Sequence, residues 1–276
     1  NANDESGNGN NGTVNGANLT TDRYGISNSC FDFNGVNQNI DVTNSNSLNP
    51  NEITISVWIF PLSDDICIIS KNDPTNATAK SFRLSHQDFW QNQHGLSTRY
   101  GTGNCNSQNE NGFYGNQGSV TNNVWSHIIT TVSASGLVKH YLNGTLLETS
   151  QSVPMGSCNN SISSMRIGGL YWNGEPNWFL GKIDDIGIWN RVLTQQEITN
   201  LYTSTVPPSV AVLSGDATIC AGASTNLSVA VTGGTSPYTV TVTDGTNNYS
   251  ATGASPVSIP VSPTATSTYT IVSVTG

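Results

Sequence analysis

The chain has 276 residues, 35% of them apolar and 8% aromatic, enough to build a packed core and too many for a disordered segment. Charged residues make up only 10%, against about 25% in an average soluble domain, and nine Lys and Arg leave a net charge of −9. That balance excludes a reader of phosphate backbones and a polybasic membrane patch, and no run of about 18 apolar residues is present to span a bilayer, so neither nucleic acid nor membrane insertion is expected.

Residues 1 to 20 form a polar opening rich in Gly and Asn. Period-two alternation then begins. Cys30-Phe31-Asp32-Phe33 and Ile40-Asp41-Val42 read as a short hairpin across Gly35. Ile53 to Phe60 alternates over most of its length and ends at Pro61, the strongest strand signal in the chain. Strands are also expected at Cys67–Ser70, Ser81–Ser85, Trp125–Val132 and Leu137–Leu142. Asn143-Gly144, set between Tyr141-Leu142 and Thr145-Leu146-Leu147, is a hairpin turn, because both residues accept positive φ. Met165–Gly168 and Phe179–Trp189 complete the strand set. Trp58, Trp125 and Trp189 lie in these strands and read as core. One short helix is expected after Leu193, where Thr194-Gln195-Gln196-Glu197 has capping-box spacing and Ile198 and Leu201 share a face.

Thr205-Val206-Pro207-Pro208 reads as a stiff linker that strand pairing does not cross. Beyond it Trp and Phe disappear, and Thr, Val, Ser and Ala take over. Short strands are expected at Asn226–Val231, Tyr238–Val242 and Tyr269–Val274. The fold class is therefore all-β: a large sandwich over residues 1–204, a linker at 205–208, and a smaller sandwich over 209–276. The start at Asn1, without Met or signal segment, reads as a mature or trimmed piece, and the strand-like end at Ile271–Gly276 reads as cut.

The five cysteines, Cys30, Cys67, Cys105, Cys158 and Cys220, form no CxxC pair, so zinc and thioredoxin-type chemistry are not expected. Cys67, Cys105 and Cys158 lie in loop or strand-end contexts where two could pair in an exported protein, and the connectivity stays open. Cys30 reads as a buried small side chain.

Paired carboxylates for glycoside hydrolysis would stand about 5 to 9.5 Å apart, on one strand face at i and i+2 or i+4. The chain has no Glu-x-Asp-x-x-Glu. Asp184-Asp185 and Asp64-Asp65 are adjacent, so on a regular strand each pair points to opposite faces. His86, His94, His127 and His140 are scattered, and neither Gly-x-Ser-x-Gly nor His-Glu-x-x-His is present. No enzyme activity is expected. Two segments combine aromatic rings with amides, as saccharide sites do: Phe89 to His94, with Trp90, and Tyr171 to Trp178. The second carries Tyr171, Trp172, Asn173, Glu175 and Trp178, and its Gly and Pro argue for a loop. The alternative is that these rings pack over the sandwich rim. Asn104 to Tyr114 is a third long polar segment.

Several segments in this order carry a resemblance: Asp4 to Gly12, Phe31 to Gly35, Ile53 to Ile59, Trp125-Ser126-His127-Ile128, Tyr141 to Gly144, and Gly181-Lys182-Ile183-Asp184-Asp185-Ile186-Gly187-Ile188-Trp189-Asn190-Arg191. Residues 1 to about 204 resemble the laminin-G-like branch of the concanavalin-A-like jelly-roll sandwiches. The resemblance implies a structural Ca²⁺ shared between the N-terminal loop and the late Ile-Asp-Asp strand, with Asp4, Asn8 and Asp184 as ligands and Asn11 as a weaker candidate. Carboxylates, amides and glycine-turned carbonyls are the donors Ca²⁺ takes, although Asp4 to Gly12 also reads as a plain polar turn.

The second domain resembles immunoglobulin-like repeats in surface proteins of gliding, type IX-secreting bacteria, through Ile219-Cys220-Ala221-Gly222, Gly233 to Tyr238 and Thr264 to Thr270. That resemblance implies a partner for Cys220 beyond Gly276. Together the resemblances imply a secreted or cell-surface adhesive module that binds a glycan. A protein-contact or spacer module, and an accessory domain of a secreted hydrolase, are the alternatives.

Overall fold

The structure, a computed structural model, describes residues 2–64, 66–72, 80–86, 95–101, 110–115, 120–151, 154, 163–172, 175–203, 208–234 and 236–275. The chain divides into two compact units, Asn1–Thr203 and Ser204–Gly276.

The first unit is built from strands β1 Gly12–Asn15, β2 Asn18–Thr20, β3 Cys30–Asn34, β4 Asn39–Val42, β5 Ile53–Pro61, β6 Ile66–Asn72, β7 Lys80–His86 and β8 Leu96–Gly101. They are followed by β9 Glu110–Tyr114, β10 Ser126–Val132, β11 Leu137–Leu142, β12 Thr145–Gln151, β13 Met165–Ile167, β14 Gly169–Trp172, β15 Glu175–Trp178 and β16 Leu180–Trp189. Helix α1, Gln195–Thr203, ends the unit. One seven-stranded sheet has the order β1-β4-β13-β6-β7-β8-β9, and the facing sheet has the order β12-β11-β10-β5-β16-β3-β2. All described strand-to-strand pairings in both are antiparallel, and a single isolated bridge, Gly16 to Asn39, is parallel. This is a jelly-roll sandwich.

The alternation in β5 explains the layering. Ile53, Ile55, Val57 and Ile59 are fully buried in the core between the sheets, each contributing about 1.5–3 kcal/mol by leaving water. Phe33, Ile40, Leu84, Leu96 and Tyr100 join them from neighbouring strands. The intervening Thr54, Ser56, Trp58 and Phe60 face outward. Trp58 is accordingly not an intersheet core residue: it stacks on His127 at 4.9 Å and on Tyr202 at 5.8 Å, on the outer face of the second sheet. Trp189 packs with Ile129, Tyr141, Leu193 and Ile198 where α1 covers that face. Trp125 precedes β10 and lies tilted on Phe60 at 5.7 Å.

The helix forms where the capping box placed it. Thr194 N–H donates to Glu197 Oε2 at 2.8 Å, and Glu197 N–H donates to Thr194 Oγ1 at 3.3 Å. The turn between β11 and β12 has Asn143 at φ 50° and Gly144 at φ 76°, as the Asn-Gly pair predicts.

The hairpin expected across Gly35 does not form. β3 belongs to the second sheet and β4 to the first, so this connection is a corner that crosses the sandwich. Asn34 Oδ1 accepts the N–H groups of Val36 and Asn37 at 2.9 and 3.2 Å, and Gly35 N–H donates to Phe179 O at 3.0 Å. The crossing lets Phe33 and Ile40 enter one core from opposite sheets. The polar opening also contributes more than a loop, since β1 pairs with β4 and β2 with β3.

The second unit holds β17 Pro208–Ser214, β18 Thr225–Gly233, β19 Tyr238–Thr243, β20 Asn248–Gly253, β21 Val257–Val261 and β22 Thr270–Thr275. They form two three-stranded sheets, β17-β18-β21 and β20-β19-β22. Val229, Val231, Val240, Val242, Val257 and Ile259 are among the residues of its separate core. Pro208 is not linker: it is the first residue of β17, paired with Gly233, a position where proline's missing N–H costs nothing.

Candidate functional site

A cleft of the first unit has a volume of about 500 Å³. Its floor is apolar and includes Ile40, Val42, Met165 and Ile183, and its rim carries Asp4, Glu5, Ser6, Asn8, Asn10, Asp184 and Asp185. Three of the four expected metal ligands, Asp4, Asn8 and Asp184, therefore line one cleft although up to 180 positions separate them in sequence. Asn11 does not line it. Its Oδ1 instead accepts the Asp4 N–H at 2.9 Å and holds the loop in shape.

The Asp4 loop is pre-organised around its carboxylate, which accepts the N–H of Ser6 at 2.9 Å and of Asn10 at 2.8 Å. Hydrogen bonds from Ser6 and Asn10 hold the Asp4 carboxyl below its usual range, so it stays ionised. Asn10 Nδ2 in turn donates to Ser47 Oγ at 3.0 Å, joining the loop to the segment after β4.

The two adjacent aspartates do not point to opposite faces. Between Asp184 and Gly187 the pairing of β16 with β5 shifts register, and Asp185 takes a φ of 43°. The bulge turns both carboxylates onto one guanidinium: Arg23 Nη1 meets Asp184 Oδ2 at 2.9 Å, and Nη2 meets Asp185 Oδ2 at 2.6 Å. Arg23 is sandwiched between the rings of Tyr24 and Trp58, 4.3 Å from each centroid. Asp184 Oδ1 accepts the Asp185 N–H at 2.9 Å. Burial and the neighbouring Asp185 push the Asp184 carboxyl up to about 6, against the pull of Arg23.

Donor chemistry at the Asp4 end of the cleft fits a hard cation. The carboxylates of Asp4 and Glu5, the Ser6 hydroxyl and the Asn8 amide all lie there. At the other end both Asp184 oxygens are already engaged, one of them by the Arg23 charge. No group of three or more His, Cys, Asp or Glu among the described residues could hold a metal on its own.

A polar node that the scattered histidines did not announce links the two sheets. Thr98 Oγ1 of β8 lies 2.8 Å from both His140 Nε2 and Thr130 Oγ1, and His140 Nδ1 lies 3.2 Å from Glu148 Oε1. The connectivity is that of a hydroxyl, base and orienting carboxylate. Thr98 and His140 are 1% and 0% exposed, however, with Phe113 stacked on the imidazole at 4.7 Å. A substrate cannot reach that hydroxyl, and the node serves to fix the sheets. Burial lowers the His140 pKa, which keeps the ring neutral. His127 has its Nε2 2.8 Å from Ser56 Oγ and fills a buried structural position.

The expected saccharide residues are placed unevenly. Trp90 and Asn173 lie outside the described residues. Tyr171, Trp172, Glu175 and Trp178 belong to a hairpin of β14 and β15, with Trp172 opposite Glu175, and not to a loop. The two intervening residues are Asn-Gly, a turn signal that the nearby Pro176 obscured. A two-stranded edge tolerates that proline. Trp178 lies over Gly169 and 5.6 Å from the Arg166 guanidinium, and Asn177 Oδ1 accepts the Cys67 N–H at 2.8 Å, which fixes the hairpin to β6.

Cys30 is buried at 1% exposure, and burial pushes its thiol up to about 12, so it is inert. Cys67 is buried too, Cys220 is an exposed free thiol, and Cys105 and Cys158 lie outside the described residues.

The profile of the Concanavalin A-like lectin/glucanases superfamily matches residues 34–199, three fifths of the chain, which takes in the strands from β4 to β16. The chain belongs to this superfamily. Solved structures share the fold of this superfamily member at low identity. The binding domain of Paraclostridial Mosquitocidal Protein 1 has a TM-score of 0.55 and 16% identity, covering 91% of this chain and 72% of that one. The receptor binding domain of botulinum neurotoxin C/D mosaic serotype has a TM-score of 0.50 and 13% identity, covering 88% and 66%. The botulinum neurotoxin serotype G binding domain has a TM-score of 0.50 and 13% identity, covering 93% and 78%. The chain thus spans just under two thirds of the C/D domain's length. No curated protein matches the chain. No described helix is long and apolar enough to cross a membrane.

Proposed function

We propose that this chain is a secreted or cell-surface binding module whose lectin-type first unit recognises carbohydrate. The observation that carries this reading is superfamily membership over residues 34–199. Solved domains of like fold being named binding domains agrees with it. Trp178 beside Arg166 supplies the kind of ring and donor pair that sugars stack on and bond to.

A structural Ca²⁺ is part of the proposal. Asp4, Glu5 and Asn8 would hold it at the rim of the cleft, with Asp184 joining only by releasing Arg23. Held so, it would stiffen the N-terminal loop, and it would tie that loop to β16 only where Asp184 joins; no chemical step depends on it. The second unit is proposed as an immunoglobulin-like spacer of the type found on type IX-secreted surface proteins. A second reading, contact with another surface protein, is favoured by Val210 and Val212, 53% and 57% exposed on edge strand β17.

The test is co-sedimentation of the full chain with a panel of insoluble polysaccharides, in Ca²⁺ and in EDTA. Saturable binding to one polymer supports the carbohydrate reading, and loss of it in EDTA supports the metal. Failure to bind any polymer refutes the carbohydrate reading and moves the weight to protein contact.

A further inference from the structure

The cleft beside Asp4 has a lining that a metal would not use. Its apolar walls come from both sheets: Val42 of β4 and Met165 of β13 on one side, and Phe31 of β3 with Ile183, Ile186 and Ile188 of β16 on the other. Phe31, Ile186 and Ile188 pack against the intersheet core yet are only part-buried. The bulge that shifts β16 against β5 lies between Asp184 and Gly187, within this wall. Apolar surface cannot coordinate a cation, and leaving it wet costs free energy in proportion to its area. A volume of about 500 Å³ is that of a small-molecule site, where a mainly apolar lining and a few polar groups act together.

Charge around this cleft is one-sided. Asp4, Glu5, Asp184 and Asp185 all line it, and no Lys, Arg or His is among its lining residues. Arg23 offsets the two aspartates of β16. Asp4 and Glu5 have no such answer: neither has an ion-pair partner among the described residues, and the Glu5 side chain, which is exposed, accepts no hydrogen bond there. Each Asp4 oxygen accepts one backbone N–H, from Ser6 or Asn10, and keeps a lone pair for a further donor.

From this geometry we infer that the cleft binds a small amphipathic cation, a primary amine on an alkyl or arylalkyl body, with its ammonium at Asp4 and Glu5 and its body against Phe31, Met165 and Ile186. An ammonium brings three donors to two carboxylates that can accept them, in charge-assisted hydrogen bonds. The apolar body covers wall surface that would otherwise face water. A neutral ligand of the same shape gains only the second term, and an anionic one is repelled. Trp178 does not line this cleft, and the inference rests neither on the carbohydrate reading nor on a bound metal.

Calorimetric titration of the full chain tests it, in EDTA and at neutral pH, with phenylbutylamine, phenylbutanol, phenylbutyrate and methylamine as probes. Phenylbutylamine should bind once per chain. The alcohol and the carboxylate, which lack the charge, and methylamine, which lacks the body, should each bind at least tenfold more weakly. Glu5→Gln, at an exposed position, should weaken amine binding severalfold and leave the alcohol unaffected. The chain's two methionines are Met155 and Met165, so Met155→Leu leaves a single methionine methyl signal in the NMR spectrum. That signal should shift with half-saturation at the same amine concentration as the heat. Amine and alcohol binding alike, amine binding that Glu5→Gln and Asp4→Asn both leave unchanged, a Met165 signal unmoved while the amine binds, or no binding of the amine would each overturn the inference. All of these outcomes leave the carbohydrate and Ca²⁺ readings to their own tests.

Discussion

Replacing Arg23 with Met removes the one charge that answers two carboxylates. Arg23 and Asp184 side chains are 7% and 8% exposed, whereas Asp185 is 59% exposed, so the loss falls mainly on Asp184. Breaking one side of a buried ion pair costs roughly 3–5 kcal/mol, because the remaining charge is stranded. The lost stacking on Trp58 and Tyr24 adds about 0.5–2 kcal/mol, partly recovered by the Met side chain. The folded pKa of Asp184, about 6, lies above the 3.8 of an ordinary aspartate. Its contribution is therefore fully present below about pH 4 and is lost as pH rises through 6. Without Arg23 that pKa climbs further. At pH 8 the variant should lose ~3–5 kcal/mol, and at pH 5, where folded Asp184 is already largely protonated, only ~1–2 kcal/mol. All six Trp lie in the first unit, so urea unfolding followed by Trp fluorescence reads that unit. An equal loss at both pH values, or a loss under ~1 kcal/mol at pH 8, would refute the assignment of a buried, coupled Asp184.

Acid should weaken the wild-type first unit. Burial, with Arg23 adding to it at His127, holds His86 and His127 down at about 4, so their stabilisation is present above 6.5 and is lost as pH falls through 4. Asp184 offsets one of those two protons and His140, also held low by burial, adds to the loss, so unfolding free energies from urea titrations at pH 6 and pH 5 should differ by about 1.4 kcal/mol or more; an unchanged stability would contradict these positions. Gly168→Ala should cost ~2–4 kcal/mol, since the glycine has φ 83° and its Cβ would lie 2.5 Å from Phe33 Cε1. Gly7→Ala, at φ 82° with nothing within 4 Å, should cost only about 1 kcal/mol, and equal thermal shifts for the two would remove the packing argument. Ca²⁺ added to EDTA-stripped protein should release heat and raise the unfolding midpoint, and Asp4→Asn should abolish both effects. Silent calorimetry would sink the proposed metal.

Local signals were legible in the sequence wherever the physics is local. Capping at Thr194, the turn at Asn143-Gly144 and the alternation of β5 each depend on a handful of neighbouring residues. Features set by register were not legible. Cys30 to Val42 has hairpin patterning, yet its halves belong to different sheets, because both Phe33 and Ile40 are claimed by the intersheet core. Adjacency of Asp184 and Asp185 predicts divergence on a regular strand, and only the bulge at φ 43° reverses it. The cleft lay in between: family resemblance brought Asp4 and Asp184 to one edge, but Arg23, distant in sequence from both, gave no sign that it would occupy the Asp184 carboxylate.

A glycan array probed with the labelled full chain in Ca²⁺ is the most direct measurement. The account predicts reproducible binding to a related set of saccharides that is lost on Trp178→Ala. An array without bound saccharides, alongside saturable binding of the same sample to another surface protein, would contradict it.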